Sequence, residues 1–275
     1  MGDSIFSGLE SFGLGGLEGM NLFEEKKKEE EKKEVPVVTE EDFLLDKSMQ
    51  CPVCDADFKI RAVKGSKAKL VGTDKDLRPR YEQLDVVKYD AIVCPYCGYA
   101  ALTRYFPTIL DSQKKKVREK ISMSFKANFN YPSVYSYDDA MDKYKLTLAN
   151  AVVKGAKASE KAYICLKSAW ILRGKGEEIG EAHPDYAKIK AMEGEYIKNA
   201  YEGFCVAVQS ENFPMCGMDE MTVEYLIAVL ATQTGHIDVA SRSVAKILAA
   251  NSASPRMKDK ARELKEEIVK LIRNK

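Results

Sequence analysis

The spacing of apolar residues changes twice along this chain and divides it into three stretches. In residues 1–23, Ile5, Phe6, Leu9, Phe12, Leu14, Leu17, Met20, Leu22 and Phe23 stand among six glycines. That is too loose for a core and too apolar for a solvated tail, so it predicts a flexible segment able to dock on a partner. The plainer reading is a chain end that folds against its own body. Glu24 to Glu34 holds six glutamates and five lysines with no apolar residue, a solvated linker or an exposed charged helix. Together these form a tail and linker over residues 1–40.

Residues 41–107 have a different texture. Phe58-Lys59-Ile60-Arg61-Ala62 and Val87-Lys88-Tyr89-Asp90-Ala91-Ile92-Val93 show period-two character, with turn residues at Gly65-Ser66 and Gly72-Thr73-Asp74. The pattern predicts small antiparallel β-structure.

After Pro107 the period becomes helical through residues 108–275. Asp111 is placed to cap a helix carrying Val117, Ile121 and Phe125, broken at Asn130-Tyr131-Pro132. Ser136 with Asp139 reads as a capping box before Met141, Tyr144, Leu148 and Val152, and Gly155 ends that helix. The next runs from Ser159 through Ala162, Leu166 and Ala169 and is expected to stop at Gly174 and Gly176. His183-Pro184 opens the longest, with Ile189, Met192, Tyr196, Ala200, Phe204 and Ala207 as its stripe. A pair at 219–234 and 237–250 turns about Gly235, and Ser254-Pro255 starts a final helix.

Helices of this length on short turns leave apolar faces that only a neighbouring pair can cover, so a stacked repeat is expected. Ala228, Gly235, Ala240, Val244 and Ile247 fit a tetratricopeptide-like pair, although the Trp-Leu-Gly start of that repeat is missing. The predicted fold is therefore α+β and mainly α: a small β-rich zinc-ribbon-like module followed by an α-helical tetratricopeptide-like repeat domain.

Charge and composition narrow the function. Of 275 residues 45% are hydrophobic and 31% charged, and the net charge is +1. No global field would draw the chain to nucleic acid or to an anionic lipid surface. No stretch approaches the ~18 apolar residues of a membrane span. The start Met1-Gly2-Asp3-Ser4 lacks the basic and apolar regions of a secretory signal, so a reducing cytoplasm is expected and seven cysteines read first as thiols or metal ligands.

Four of those cysteines carry the chemistry. Cys51-Pro52-Val53-Cys54 and Cys94-Pro95-Tyr96-Cys97-Gly98 are two Cys-x-x-Cys turns. A two-residue gap in a tight turn lets both sulfurs face one ion, and two such turns complete a tetrahedron at about 2.3 Å from zinc. Cys51, Cys54, Cys94 and Cys97 are thus the expected ligands of one structural Zn²⁺, with iron possible in the same thiolate set. Four sulfurs leave no open position for a substrate or water, so no catalytic residue is expected.

Cys94-Pro95-Tyr96-Cys97 also matches a thiol–disulfide oxidoreductase motif. That chemistry needs a helix N-terminus behind the first cysteine within a βαβ unit, a pattern missing here. Lys59, Arg61, Lys64, Lys67 and Lys69 form a basic run that could contact phosphates, but nearby acids leave residues 55–93 only weakly positive, so a solvated β face accounts for it better. His183 and His236 read as loop residues; Cys165, Cys205 and Cys216 as buried thiols; Tyr163 and Trp170 as repeat packing. No phosphate-binding loop, dinucleotide fingerprint, nucleophile elbow or zinc-protease motif is present. The expectation is a non-enzymatic zinc-binding scaffold or adaptor that offers its helices to a protein or peptide; a nucleic-acid-binding zinc ribbon is the alternative.

Cys51-Pro52-Val53-Cys54, Leu70-Val71, Arg78-Pro79-Arg80-Tyr81-Glu82, Tyr89-Asp90 and Val93-Cys94-Pro95-Tyr96-Cys97-Gly98-Tyr99-Ala100-Ala101 together resemble the bacterial domain-of-unknown-function family 2225. The similarity spans roughly residues 48–250, with its motifs concentrated before Phe106. It implies a bacterial cytoplasmic protein with a zinc-ribbon-like front and a helical back, and it implies no established activity. Nothing in a zinc ribbon requires Arg78 and Arg80. They either recognise a carboxylate or phosphate or fix their loop on Asp74, Asp76 or Glu82, and the second is expected.

Overall fold

The structure is a computed structural model that describes residues 38–126 and 132–273. The expected docking tail lies outside the described residues, as does most of the break at Asn130-Tyr131-Pro132. Thr39–Lys275 forms one compact unit. Its first part holds three antiparallel strand pairs: β1 (Leu44–Gln50) with β2 (Asp57–Val63), β3 (Leu70–Thr73) with β4 (Pro79–Tyr81), and β5 (Ala91–Val93) with β6 (Ala100–Leu102). Seven α-helices follow among the described residues: α1 (Asp111–Val117), α2 (Tyr137–Val153), α3 (Ala158–Ile179), α4 (Tyr186–Ser210), α5 (Glu220–Gln233), α6 (Ile237–Ala249) and α7 (Pro255–Arg273). The chain is mainly helical, with small strand pairs at the front and a helical domain behind.

The small antiparallel β-structure expected here is present as three two-stranded pairs, and each Cys-x-x-Cys turn closes its own hairpin. Two expectations for the strands change. Val86–Tyr89 is a 3-10 turn capped by Asp85, whose carboxylate accepts from Val87 N–H at 3.0 Å, so only Ala91–Val93 of the expected long strand is extended. Gly72 and Thr73 lie in β3, and the turn falls on Asp74–Arg78, where Leu77 takes a positive φ.

The β5–β6 hairpin is buried on both faces. Its register pairs Ala91 with Leu102 and Ile92 with Ala101, and alternation sends these pairs to opposite sides. Ala91 and Leu102 join the main helical core with Tyr144, Leu166 and Phe204. Ile92 and Ala101 join a second core with Phe58, Tyr99, Phe106 and the cysteines. Val117 of α1 also lies in that second core, so residues on both sides of Pro107 share it.

Helices α2 to α6 each pack on their successor, and α5 also touches α7. The capping box at Ser136 is present: the hydroxyl accepts from Asp139 N–H at 3.1 Å, and the Asp139 carboxylate accepts from Ser136 N–H at 2.9 Å. Helix α2 buries Ala140, Met141, Tyr144, Thr147 and Ala151, while Val152, expected in the stripe, is exposed. Asp111 is the first residue of α1 rather than its cap. The helix does not run on to Phe125: a π-turn at Arg118–Ser122 ends it.

Gly174 and Gly176 do not stop α3, which continues to Ile179 and ends where Gly180 takes φ 77°. Gly174 is there for space, whereas a Cβ on Gly176 would come no closer than 3.5 Å to Tyr186. A Cβ on Gly174 would lie 2.6 Å from Tyr137 Cζ and 2.7 Å from Arg78 Nη2, a clash that outweighs the ~1 kcal/mol of helix propensity alanine would add. Gly194 in α4 has nothing within 4 Å of such a Cβ. We therefore expect Gly174→Ala to destabilise by about 2 kcal/mol and Gly194→Ala to stabilise by up to about 1 kcal/mol, read as urea midpoints with unchanged slopes. Equal effects of one sign would mean that crowding at Tyr137 is not what the glycine relieves.

Candidate metal centre

The two cysteine turns are built alike. At the tip of β1–β2, Cys51 N–H donates to Ala56 C=O at 2.9 Å and Asp55 N–H donates to Cys51 C=O at 2.9 Å. At the tip of β5–β6, Cys94 N–H donates to Tyr99 C=O at 2.8 Å and Gly98 N–H donates to Cys94 C=O at 3.1 Å. Each turn needs a residue at positive φ one place after its second cysteine. Gly98 supplies it at φ 71° and Asp55 at φ 61°. Glycine meets this need freely, and aspartate is among the few other residues that tolerate it. The glycine signals this in the sequence; Asp55 in the same role does not.

Side chains from the helical part close over both turns. Arg118, at the π-turn, donates from Nε to the Val53 carbonyl at 2.9 Å and from Nη2 to the same oxygen. Asn150 of α2 donates from Nδ2 to the Gly98 carbonyl at 3.0 Å. Behind the turns Phe106 packs on Tyr99, ring centroids 4.9 Å apart, and edge-on against Phe58 at 5.9 Å. Tyr99 hydroxyl donates to the Phe106 carbonyl at 3.2 Å. Sequence reasoning passed over Arg118 and Asn150, since a helix-surface arginine or asparagine carries no local mark of a distant carbonyl.

The four sulfurs converge. All lie within 4.8 Å of one another, with Cys51 Sγ to Cys97 Sγ and Cys54 Sγ to Cys94 Sγ each 3.6 Å. Sulfurs about 2.3 Å from a central zinc stand roughly 3.8 Å apart along the edges of a tetrahedron. The spacing fits a four-thiolate ion. None of the four is paired as a disulfide. Cys51, Cys94 and Cys97 are buried and Cys54 is half-buried. Without a cation such a cluster cannot hold four negative charges: the Cys94 sulfur pushes the Cys51 thiol up to about 12, and the Cys51 sulfur, then Cys94, raises that of Cys97. A divalent ion would reverse that order by accepting thiolates. The donor set suits zinc, and Cys51, Cys54, Cys94 and Cys97 are the residues that would hold it.

Other expected residues fall elsewhere. Arg78 and Arg80 bond carboxylates and not the cysteine turns. Arg80 does hold Asp74, by Nε at 2.6 Å and Nη2 at 2.7 Å, but neither arginine bonds Asp76 or Glu82. Arg78 is fully buried and reaches Asp85 at 2.7 Å, and both arginines meet Glu177 of α3. Arg173 continues the cluster to Asp74, Asp76 and Glu193, while Trp170 Nε1 donates to Asp76 at 3.0 Å. The β3–β4 loop is therefore pinned to α3, and through Arg173 to Glu193 of α4, not fixed only on itself.

In the basic run, Arg61 bonds Asp46 at 2.9 Å and the Ser133 carbonyl at 2.8 Å, Lys64 donates to the Asp42 carbonyl, and Lys69 pairs with Glu82. Trp170 packs edge-on with Tyr163 at 6.3 Å. His236 stacks on Tyr201 with centroids 4.6 Å apart at the turn into α6.

Paired cysteine turns capped from a following set of packed helices define a class: a four-cysteine, metal-competent hairpin module fused to an α-helical domain. Residues 44–268 match the family described as "uncharacterized protein conserved in bacteria (DUF2225)", and the chain belongs to that family. No curated protein and no solved structure shows significant similarity to it. No helix among the described residues is long and apolar enough to cross a membrane.

Proposed function

We propose that this protein is a non-enzymatic, zinc-stabilised interaction protein. Cys51, Cys54, Cys94 and Cys97 hold one structural Zn²⁺, and the tetratricopeptide-like helices present a face to a protein or peptide partner in the cytoplasm. The observation that carries the reading is the convergence of four thiols at tetrahedral spacing, which fills every coordination position of zinc and leaves none for substrate. The repeat-like helices add support: Ala228 and Ala240 are wholly buried where α5 meets α6, with Val244 and Ile247 behind them.

The oxidoreductase alternative draws less support. β6, not a helix, follows Cys97, and Cys94 is inaccessible to a disulfide substrate. The nucleic-acid alternative loses phosphate contacts to the internal pairing of Arg61, Lys64 and Lys69.

An apolar furrow of about 140 Å³ between α6 and α7, lined by Val244, Leu248, Ile268, Val269 and Ile272, is the surface we assign to the partner. Native mass spectrometry should find one zinc per chain. Covalent crosslinking in cells should capture a partner that is lost when Val269→Glu and Ile272→Glu are combined, with melting unchanged. A zinc-free folded chain would overturn the metal assignment; capture indifferent to the two glutamates would remove the furrow from the interface.

A further inference from the structure

The hairpin β1–β2 is anchored on the body at both ends and leaves a cleft alongside its middle. At the cysteine end, Phe58 and Met49 pack into the core around the thiols. At the other end, Leu44 joins Leu84, Tyr89 and Tyr135 in a separate small core, and Arg61 reaches the Ser133 carbonyl. Between these anchors a cleft of about 500 Å³ separates the hairpin from the β5 region and α3. That is within the ~300–1,000 Å³ of small-molecule sites.

The chemistry of its walls is uneven. Met49, Ile60, Val63 and Val86 line it with half-buried apolar side chains, and Lys47, Asp90 and Lys167 are its charged groups. Lys47 is directly opposite Ile60 in the ladder, as Met49 is opposite Phe58. Those four residues therefore share one face, and buried Phe58 shows that this face turns toward the body. Lys47 is thus a solvent-exposed cation at the mouth of the cleft, on the body-facing side of an apolar ribbon. Among the described residues no carboxylate lies within ion-pair distance of it. Lys167 is buried at the floor, paired with Asp90 at 2.7 Å and set over the rings of Tyr163 and Trp170. Two cations against one carboxylate leave one positive charge uncompensated.

We propose that this cleft is a binding site for a small aliphatic monocarboxylate, whose carboxylate meets Lys47 and whose hydrocarbon body lies against Met49, Ile60 and Val86. A single lysine in an apolar cleft suits a monoanion. A phosphate dianion calls instead for a guanidinium fork or a nest of backbone N–H groups, and Arg61 on the hairpin and Arg78 and Arg80 beside Pro79 are already bound to carboxylates. The proposal stands apart from the scaffold reading: it uses the front module and not the α6–α7 furrow.

The sole tryptophan, Trp170, has its ring 5.6 Å from Lys167 Nζ, so its fluorescence reports on the floor of the cleft. The zinc-loaded full chain would be titrated with octanoate, with methyl octanoate, and with a tetrapeptide ending in leucine. Octanoate should give a saturable fluorescence change and a higher melting temperature. The ester should bind at least about tenfold more weakly. Lys47→Gln, on an exposed side chain, should melt as the wild type does and bind octanoate about tenfold more weakly; Lys47→Glu should abolish binding. No saturable change by either readout, or equal octanoate affinity in Lys47→Gln, overturns the site. Tighter binding of the peptide than of octanoate would make the occupant a polypeptide end and would equally overturn the small-molecule assignment.

Discussion

Cys94→Ser is expected to cost the protein its metal and, with it, the order of both cysteine hairpins. Structural zinc in small thiolate sites contributes roughly 10–16 kcal/mol at neutral pH, as much as the whole ~5–15 kcal/mol by which a typical domain is stable. Cys94 is fully buried, so a serine there removes a ligand and leaves a hydroxyl among the three remaining thiols. The damage will spread, because β5 and β6 place Ala91 and Leu102 in the helical core. Metal analysis should fall from one ion per chain to a small fraction. Hydrogen exchange should show residues 91–102 losing protection first. A serine variant that keeps the wild-type melting curve would mean that the thiol cluster is held by packing alone and needs no ion.

Asp76→Ala should rank next in effect. Asp76 is almost wholly buried, accepts from Trp170 Nε1 at 3.0 Å, and receives Arg173 Nη1 and Nη2 at 3.0 and 2.6 Å. Alanine strands an indole N–H and half of a buried guanidinium fork. Breaking one side of a buried ion pair costs about 3–5 kcal/mol. Asp76→Asn keeps an acceptor for one donor and should cost clearly less. Urea unfolding followed by Trp170 fluorescence measures both variants, and a loss below about 1 kcal/mol for alanine would show that Arg173 is adequately held by Asp74 and Glu193.

The legible parts of this fold are those whose signal is local. Two Cys-x-x-Cys turns, the Ser136–Asp139 box, Gly155 and Gly235 at positive φ, and the proline start of α7 each declare themselves within a few residues. The parts that escaped depend on distant partners. Leu44–Gln50 has no clean alternation and is a strand because β2 supplies its ladder from Leu44–Val63 to Gln50–Asp57. Gly174 looked like punctuation because glycine usually is, yet the need for it comes from Tyr137 and Arg78 in other elements. Spacing alone pairs Arg78 and Arg80 with nearby acids. Asp74 does receive Arg80, but the shared carboxylate, Glu177, lies 99 and 97 residues away. At the cysteine cluster the four residues that converge are legible from their spacing, while Arg118 and Asn150 are marked only by the folded chain around them.

The two-faced hairpin β5–β6 bears on how such a protein can be inherited. Because one side of it is wall to the thiol cluster and the other to the helices, a genetic crossover near Pro107 would leave each fragment with an unpartnered greasy surface. Shuffling the front module onto a foreign helical partner would therefore demand matched changes at Ala91 and Leu102. The pair should travel through evolution as a single inherited block.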